Sequence, residues 1–139
     1  MPDLTAHHYG LIVSDLDRAV AFYRDTLGLE VLSEFTVSGA AFAEAVDVPG
    51  ATGRFAHLDA GGARVELVEY DPPGEDRPAP AVNDAGGTHL GLSVPDLDAF
   101  HDGLPEEVAT LSAPRTTESG TRICFLRDPE GNLVEVVEV

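Results

Sequence analysis

Apolar and polar positions alternate over residues 5–13, which predicts a strand, and Ser14 or Asp15 then offers a helix N-cap. Leu16, Ala19, Val20, Tyr23 and Leu27 recur at helical spacing, and Gly28 predicts the helix end. Residues 30–37 read as a strand, whereas 42–48 are ambiguous, with a short helix closed by Pro49-Gly50 as the reading on offer. Residues 55–59 and 64–70 predict a hairpin turning at Gly61-Gly62. The order is β-α-β-β-β. Residues 71–87, rich in Pro, Gly, Asp and Asn and without periodicity, read as a linker or as a loop over a site. The same order then returns with shorter connections. It comprises a strand over 89–94, a helix over 97–104, strands near 108–111 and 121–126, a turn at 128–132 and a strand over 133–139. Pro105 and Pro114 act as breakers.

The two halves repeat residues as well as elements. His8-Tyr9-Gly10-Leu11-Ile12-Val13-Ser14-Asp15-Leu16-Asp17 returns as His89-Leu90-Gly91-Leu92-Ser93-Val94-Pro95-Asp96-Leu97-Asp98. Arg64-Val65-Glu66-Leu67-Val68-Glu69 is echoed by Leu133-Val134-Glu135-Val136-Val137-Glu138. Each half therefore starts on a histidine in an apolar strand and ends on a glutamate in another. A histidine so placed is more often a satisfied core residue than a ligand. The repeat selects His8 over its neighbour His7, because His8 aligns with His89 as Gly10 aligns with Gly91. His57 and His101 are expected at the surface.

Strand residues two apart share a face, so Glu66 lies with Arg64, Val68 and Tyr70, and Glu135 with Leu133, Val137 and Val139. An ionised carboxylate among apolar neighbours is costly unless it is paired or bound to a metal. Glu69 and Glu138 compete with Glu66 and Glu135 for that role. Imidazole and carboxylate donors suit zinc, iron, nickel, manganese and cobalt without choosing among them. Arg64 is a candidate for an anionic substrate group or for an ion pair with Glu66, and Arg122 for the same cup.

Composition narrows the setting. With 139 residues, 43% of them hydrophobic, the chain suits one two-lobed domain with a real core. No apolar run approaches the roughly 20 residues needed to span a bilayer. The Met-Pro-Asp-Leu-Thr start has the features of no secretory leader, and Cys124 is alone, which suits a reducing cytoplasm. Twenty-five acidic residues face eight arginines and no lysine, for a net charge of −17. Such a surface repels nucleic acid and anionic membranes. It reads as adaptation to a very salty cytoplasm, where screening acts within about 3 Å at 1 M salt. The protein is therefore expected to unfold in dilute buffer and to refold when salt is added. A urea midpoint indifferent to salt overturns the halophilic reading.

Four motifs stand in order: His-x-Gly-x-x-Val-x-Asp-Leu from His8, Ala-x-x-Phe-Tyr-x-x-x-Leu-Gly from Ala19, Val65-Glu66-Leu67, and Asp-Pro-x-Gly-Asn-x-x-Glu from Asp128. Together with the duplication they resemble the vicinal oxygen chelate superfamily, which includes glyoxalase I, methylmalonyl-CoA epimerase, extradiol dioxygenases and the fosfomycin and bleomycin resistance proteins. The glyoxalase I branch is the nearest match. The resemblance implies an α+β fold of two tandem βαβββ modules forming a cup-shaped mixed sheet with helices outside. Residues 1–139 would make a single glyoxalase-like domain, with modules at 4–70 and 88–139 and a linker at 71–87. It also implies one divalent metal ion (Zn, Ni, Co, Mn or Fe) per site, held by His8, Glu66, His89 and Glu135, since the family register takes the earlier glutamate of each pair. Glu135 would act as the base, with Glu66 as alternate, and Arg64 and Arg122 would bind substrate.

The activity so implied is a metal-dependent lyase or isomerase that moves a proton next to a carbonyl of a small-molecule substrate, in a homodimer. The branch alternatives are an iron extradiol dioxygenase, a thiol transferase and a metal-free drug-binding protein. Residues 35–53 and 71–87 are expected to shape the pocket.

Overall fold

The computed structural model describes residues 2–139, and the chain divides into two compact units, Met1–Arg77 and Pro78–Val139. The first contains β1 (His8–Ile12), α1 (Leu16–Ala21) running on into a π-helical turn (Phe22–Thr26), β2 (Glu30–Val37), α2 (Ala40–Val46), β3 (Thr52–Asp59) and β4 (Arg64–Asp71). Its four strands form one mixed sheet in the order β1-β4-β3-β2, with β1 parallel to β4 and the other pairs antiparallel. The second contains β5 (His89–Val94), α3 (Leu97–Asp102), β6 (Arg115–Thr116), β7 (Arg122–Arg127) and β8 (Leu133–Glu138). Its sheet repeats the pattern as β5-β8-β7-β6, with β5 parallel to β8.

Strand alternation gives each sheet a helix-covered face and an open one. In the first unit Ala56, Leu58, Val65 and Leu67 are wholly buried together with Ala19 and Tyr23 of the helical segment, and Leu16 is nearly so. In the second, Leu97 of α3 is buried with Cys124, Leu126, Val134 and Val136. Each such aliphatic side chain contributes about 1.5–3 kcal/mol by leaving water. Burial pushes the Cys124 thiol above its ordinary pKa, so the one cysteine is a packed, unreactive group.

Helices α1 and α3 start in the same way. Asp15 accepts from the Arg18 N–H at 3.0 Å and Asp96 from the Ala99 N–H at 3.0 Å, which caps the first turn. A glutamate from the last strand of each unit takes the next orphan donor. Glu69 accepts from the Leu16 N–H at 2.7 Å, and Glu138 from the Leu97 N–H at 3.2 Å. An arginine completes each start: Arg54 pairs with Asp17 at 3.3 Å, and Arg122 pairs with Asp98.

Two elements differ from the sequence expectation, and one ambiguous segment resolves as the short helix it offered. The helix expected over 16–27 is α-helical only to Ala21, after which the Leu27 N–H reaches the Phe22 carbonyl and widens the turn. The neighbouring rings of Phe22 and Tyr23 are both buried there, and Gly28 at φ 75° lets the Leu29 N–H close back on the Tyr23 carbonyl. The ambiguous segment before Pro49 is α2, ended by Asp47 in the left-handed region. The strand expected near 108–111 does not form. Thr110 makes a single bridge to Leu126, and Pro114, which lacks an N–H, interrupts pairing until the two-residue β6. Among the described residues no helix is long and apolar enough to cross a membrane.

Candidate functional site: two histidine–glutamate pairs

The parallel pairing of β1 with β4 sets Gly10 beside Glu66, and that of β5 with β8 sets Gly91 beside Glu135. Two residues before each glycine, on the same open face, stands a histidine. His8 Nε2 lies 3.4 Å from Glu66 Oε1, and His89 Nε2 lies 3.4 Å from Glu135 Oε1. A Cβ at Gly10 would meet nothing nearer than 4.0 Å and one at Gly91 nothing within 4 Å, so the glycines leave space open beside the carboxylates.

The N···O separation is beyond the usual 2.7–3.2 Å of an N–H···O bond. The two side chains of each pair would therefore both be available to hold a cation. The chemistry of the donors, one imidazole and one carboxylate per unit, fits a divalent ion. Among the described residues no three His, Cys, Asp or Glu side chains group in metal-binding geometry.

The competing glutamates are accounted for. The alternation that puts Glu66 and Glu135 on the open faces turns Glu69 and Glu138 to the helices, where they cap α1 and α3.

His57 corrects the sequence expectation of a surface residue. It is only 7% exposed, sits in register opposite Glu66, and donates its Nε2–H to Glu66 Oε2 at 2.7 Å. The signal was available, since a hairpin turning at Gly61-Gly62 sets residue 57 across from residue 66. The matching position opposite Glu135 is Phe125, whose ring meets the His89 ring edge-on at 5.3 Å. His7 lies before β1 and bonds His8, Nδ1 to Nδ1, at 2.8 Å. With His8 presenting the Nε2 lone pair to a ligand, Nδ1–H is the donor and His7 the acceptor. His101 lies on α3, half-buried beside Asp102.

Of the two arginines, only Arg64 shares the open face with its glutamate. It is exposed and has no ion pair among the described residues, while Glu66 faces His8 and His57 instead. Arg122 does not share a face with Glu135. Phe125 faces Glu135 in register, so alternation turns Arg122 to the helix side, where Asp98 and Thr116 hold it.

Next to His57 the open face of the first unit becomes aromatic. Phe35 stacks on Phe55 at 5.1 Å, Phe42 stacks on Tyr70 at 6.2 Å, and Phe42 meets Phe55 edge-on at 6.0 Å. Gly53 permits this, because a Cβ there would lie 2.6 Å from the Phe55 ring and 3.2 Å from Phe42. The Phe35 edge-on contact with His57, at 5.2 Å, joins this shelf to the Glu66 cluster.

The likeness to known proteins runs the length of the chain. The family model for the glyoxalase/bleomycin resistance protein/dioxygenase superfamily matches residues 5–136. A 2-epi-5-epi-valiolone epimerase from an Actinomyces species is 32% identical over 146 residues, covering 98% of this chain and 80% of that protein. The crystal structure of a glyoxalase family protein from Bacillus cereus superposes with a TM-score of 0.85 at 24% identity, over 99% of this chain and 95% of that one. That of a lactoylglutathione lyase from Agrobacterium tumefaciens gives a TM-score of 0.64 at 25% identity, over 99% and 96%. Paired βαβββ units, a histidine and a glutamate in the same register in each, and a match from one end to the other have one reading: the chain belongs to the glyoxalase/bleomycin resistance protein/dioxygenase superfamily.

Proposed function

We propose that the protein is a divalent-metal-dependent isomerase or lyase that moves a proton at a carbon next to a carbonyl. The observation that carries this reading is the His–Glu pair found in the same register and at the same 3.4 Å in both units. His8, Glu66, His89 and Glu135 are the four donors, and the resemblance to glyoxalase I makes a homodimer the working form. The epimerase relative favours proton transfer over oxygen chemistry, and an epimerisation over a lyase reaction. When bound, the cation supplies the positive charge that stabilises the negative charge developing on the carbonyl oxygen.

The chain's own residues divide the remaining work. Glu135 is the base, because only Oε1 faces a protein partner, His89, among the described residues. Phe125 beside it offers no hydrogen bond, so Oε2 is open to accept the proton from carbon. Glu135 passes that proton on to solvent, and a water on the opposite face delivers a proton to the carbon and so inverts the centre. Return from Glu135 to the neighbouring carbon, with the hydroxyl proton moving to the former carbonyl oxygen, isomerises a hydroxycarbonyl. Arg64, charged and exposed on the Glu66 face, meets an anionic or strongly polar end of the substrate. The aromatic shelf gives a flat apolar wall on which the carbon skeleton rests and which keeps water from that side.

Elemental analysis of protein purified in high salt tests the metal. The expected result is one nickel, zinc, cobalt or manganese per chain in the wild type and loss of that metal in Glu66→Ala. No metal in either, even after reconstitution, overturns the catalytic reading and leaves a binding protein.

A further inference from the structure

The two units differ at the register position that faces each carboxylate, where His57 faces Glu66 and Phe125 faces Glu135. We infer that His57 is a positioning residue that fixes Glu66 as a one-oxygen ligand and thereby leaves Glu135 as the carboxylate free to move a proton, an inference that rests on the function proposed above.

The geometry of the first unit carries the argument. His57 Nε2–H occupies Glu66 Oε2 at 2.7 Å, so only Oε1 remains for a cation, and Oε1 is the atom 3.4 Å from His8 Nε2. His57 is itself held. It is almost fully buried on an inner strand, its ring meets Phe35 edge-on at 5.2 Å, and the His8 ring lies nearly parallel to it at 6.0 Å. A donor with so little freedom sets the carboxylate plane as well as its charge. The other donor of the unit is oriented in the same manner, because His7 bonds the back of His8 at 2.8 Å. Both donors of the first unit are thus braced by a second histidine.

The second unit has neither brace. Thr88 precedes His89, and Phe125 presents carbon to Glu135. One unit is built to hold still. The other keeps a carboxylate oxygen unengaged.

Residues that orient a ligand typically change metal affinity by about 10–100-fold when removed. The test titrates metal-free wild type, His57→Phe and His57→Gln with cobalt(II), reading affinity and the visible absorption band in high salt. The phenylalanine copies the residue of the other unit, and the glutamine restores an N–H donor within the same volume range. The expected result is cobalt affinity weakened by about 10–100-fold in His57→Phe and regained within a few-fold in His57→Gln. Wild-type affinity in His57→Phe overturns the inference, as does a His57→Gln no better than the phenylalanine, which marks His57 as packing alone. A wild type that takes up no cobalt overturns the proposed function itself and the inference with it.

Discussion

Replacing Glu135 by glutamine is expected to lower kcat by about 10²–10⁴-fold, the usual weight of a positioned general base, with KM close to that of the wild type. The substitution keeps the side-chain shape and an oxygen that can still face His89, so binding survives while proton acceptance does not. Glu66→Gln is expected to behave differently. Its carboxylate already faces His8 and accepts from His57, so the loss appears first as weakened metal uptake and only through that as lost turnover. Exchange of the substrate's α-proton in deuterated water, followed by NMR, reads the chemical step directly. Wild-type exchange in Glu135→Gln removes Glu135 as the base. Equal loss of exchange in both variants with metal retained makes the two carboxylates equivalent and removes the asymmetry drawn from Phe125.

Leu67→Ala is expected to cost about 2–5 kcal/mol of stability, as for other large-to-small changes at fully buried sites. Leu67 is 0% exposed, lies between Leu11 and Ala56 in register, and faces the helix side of the sheet next to Glu66. The cavity left there cannot collapse without bending β4. Ile12→Ala is the control, because Ile12 is 60% exposed on the open face, and it is expected to stay within about 0.5 kcal/mol of wild type. Urea unfolding at high salt measures both. A Leu67→Ala midpoint like that of Ile12→Ala contradicts the assignment of faces from which the site was built.

Much of this arrangement was legible in the order of residues. Strands β2 and β5 fall where alternation put them, and the repeat picked His8 and His89 without help from structure. The choice between Glu66 and Glu69 was open to periodicity, which says that they differ in face but not which face is covered. Helix capping by Glu69 resolves it, and a cap contributed from 53 residues away leaves no local trace.

His57 was missed because it was weighed by itself. Its meaning lies in the residue across the hairpin. Arg122 was misplaced for a related reason, since its face depends on the register of β7 against β8, which the turn at residues 128–132 sets. There the buried Asp128 accepts from the Glu130 and Asn132 N–H groups at 2.9 Å each. The strand expected near 108–111 shows the limit of composition, because that segment makes a single bridge, Thr110 to Leu126 with backbone bonds at Ala109 and Leu111 on either side, before Pro114 breaks the ladder.

Strand β4 is engaged on both sides at once: Glu66 holds His57 on the open face, and three residues on Glu69 holds the start of α1 on the other. A slip of one residue exchanges the two faces of a strand. In β4 it would strip the helix of its cap and the hairpin of its His57–Glu66 hydrogen bond in a single step. Misregistered pairing of this strand is therefore penalised twice. β8 carries the helix-side anchor through Glu138, while on its open face Phe125 stands where β3 has His57, so among the described residues the second sheet lacks the cross-hairpin hydrogen bond that the first sheet has.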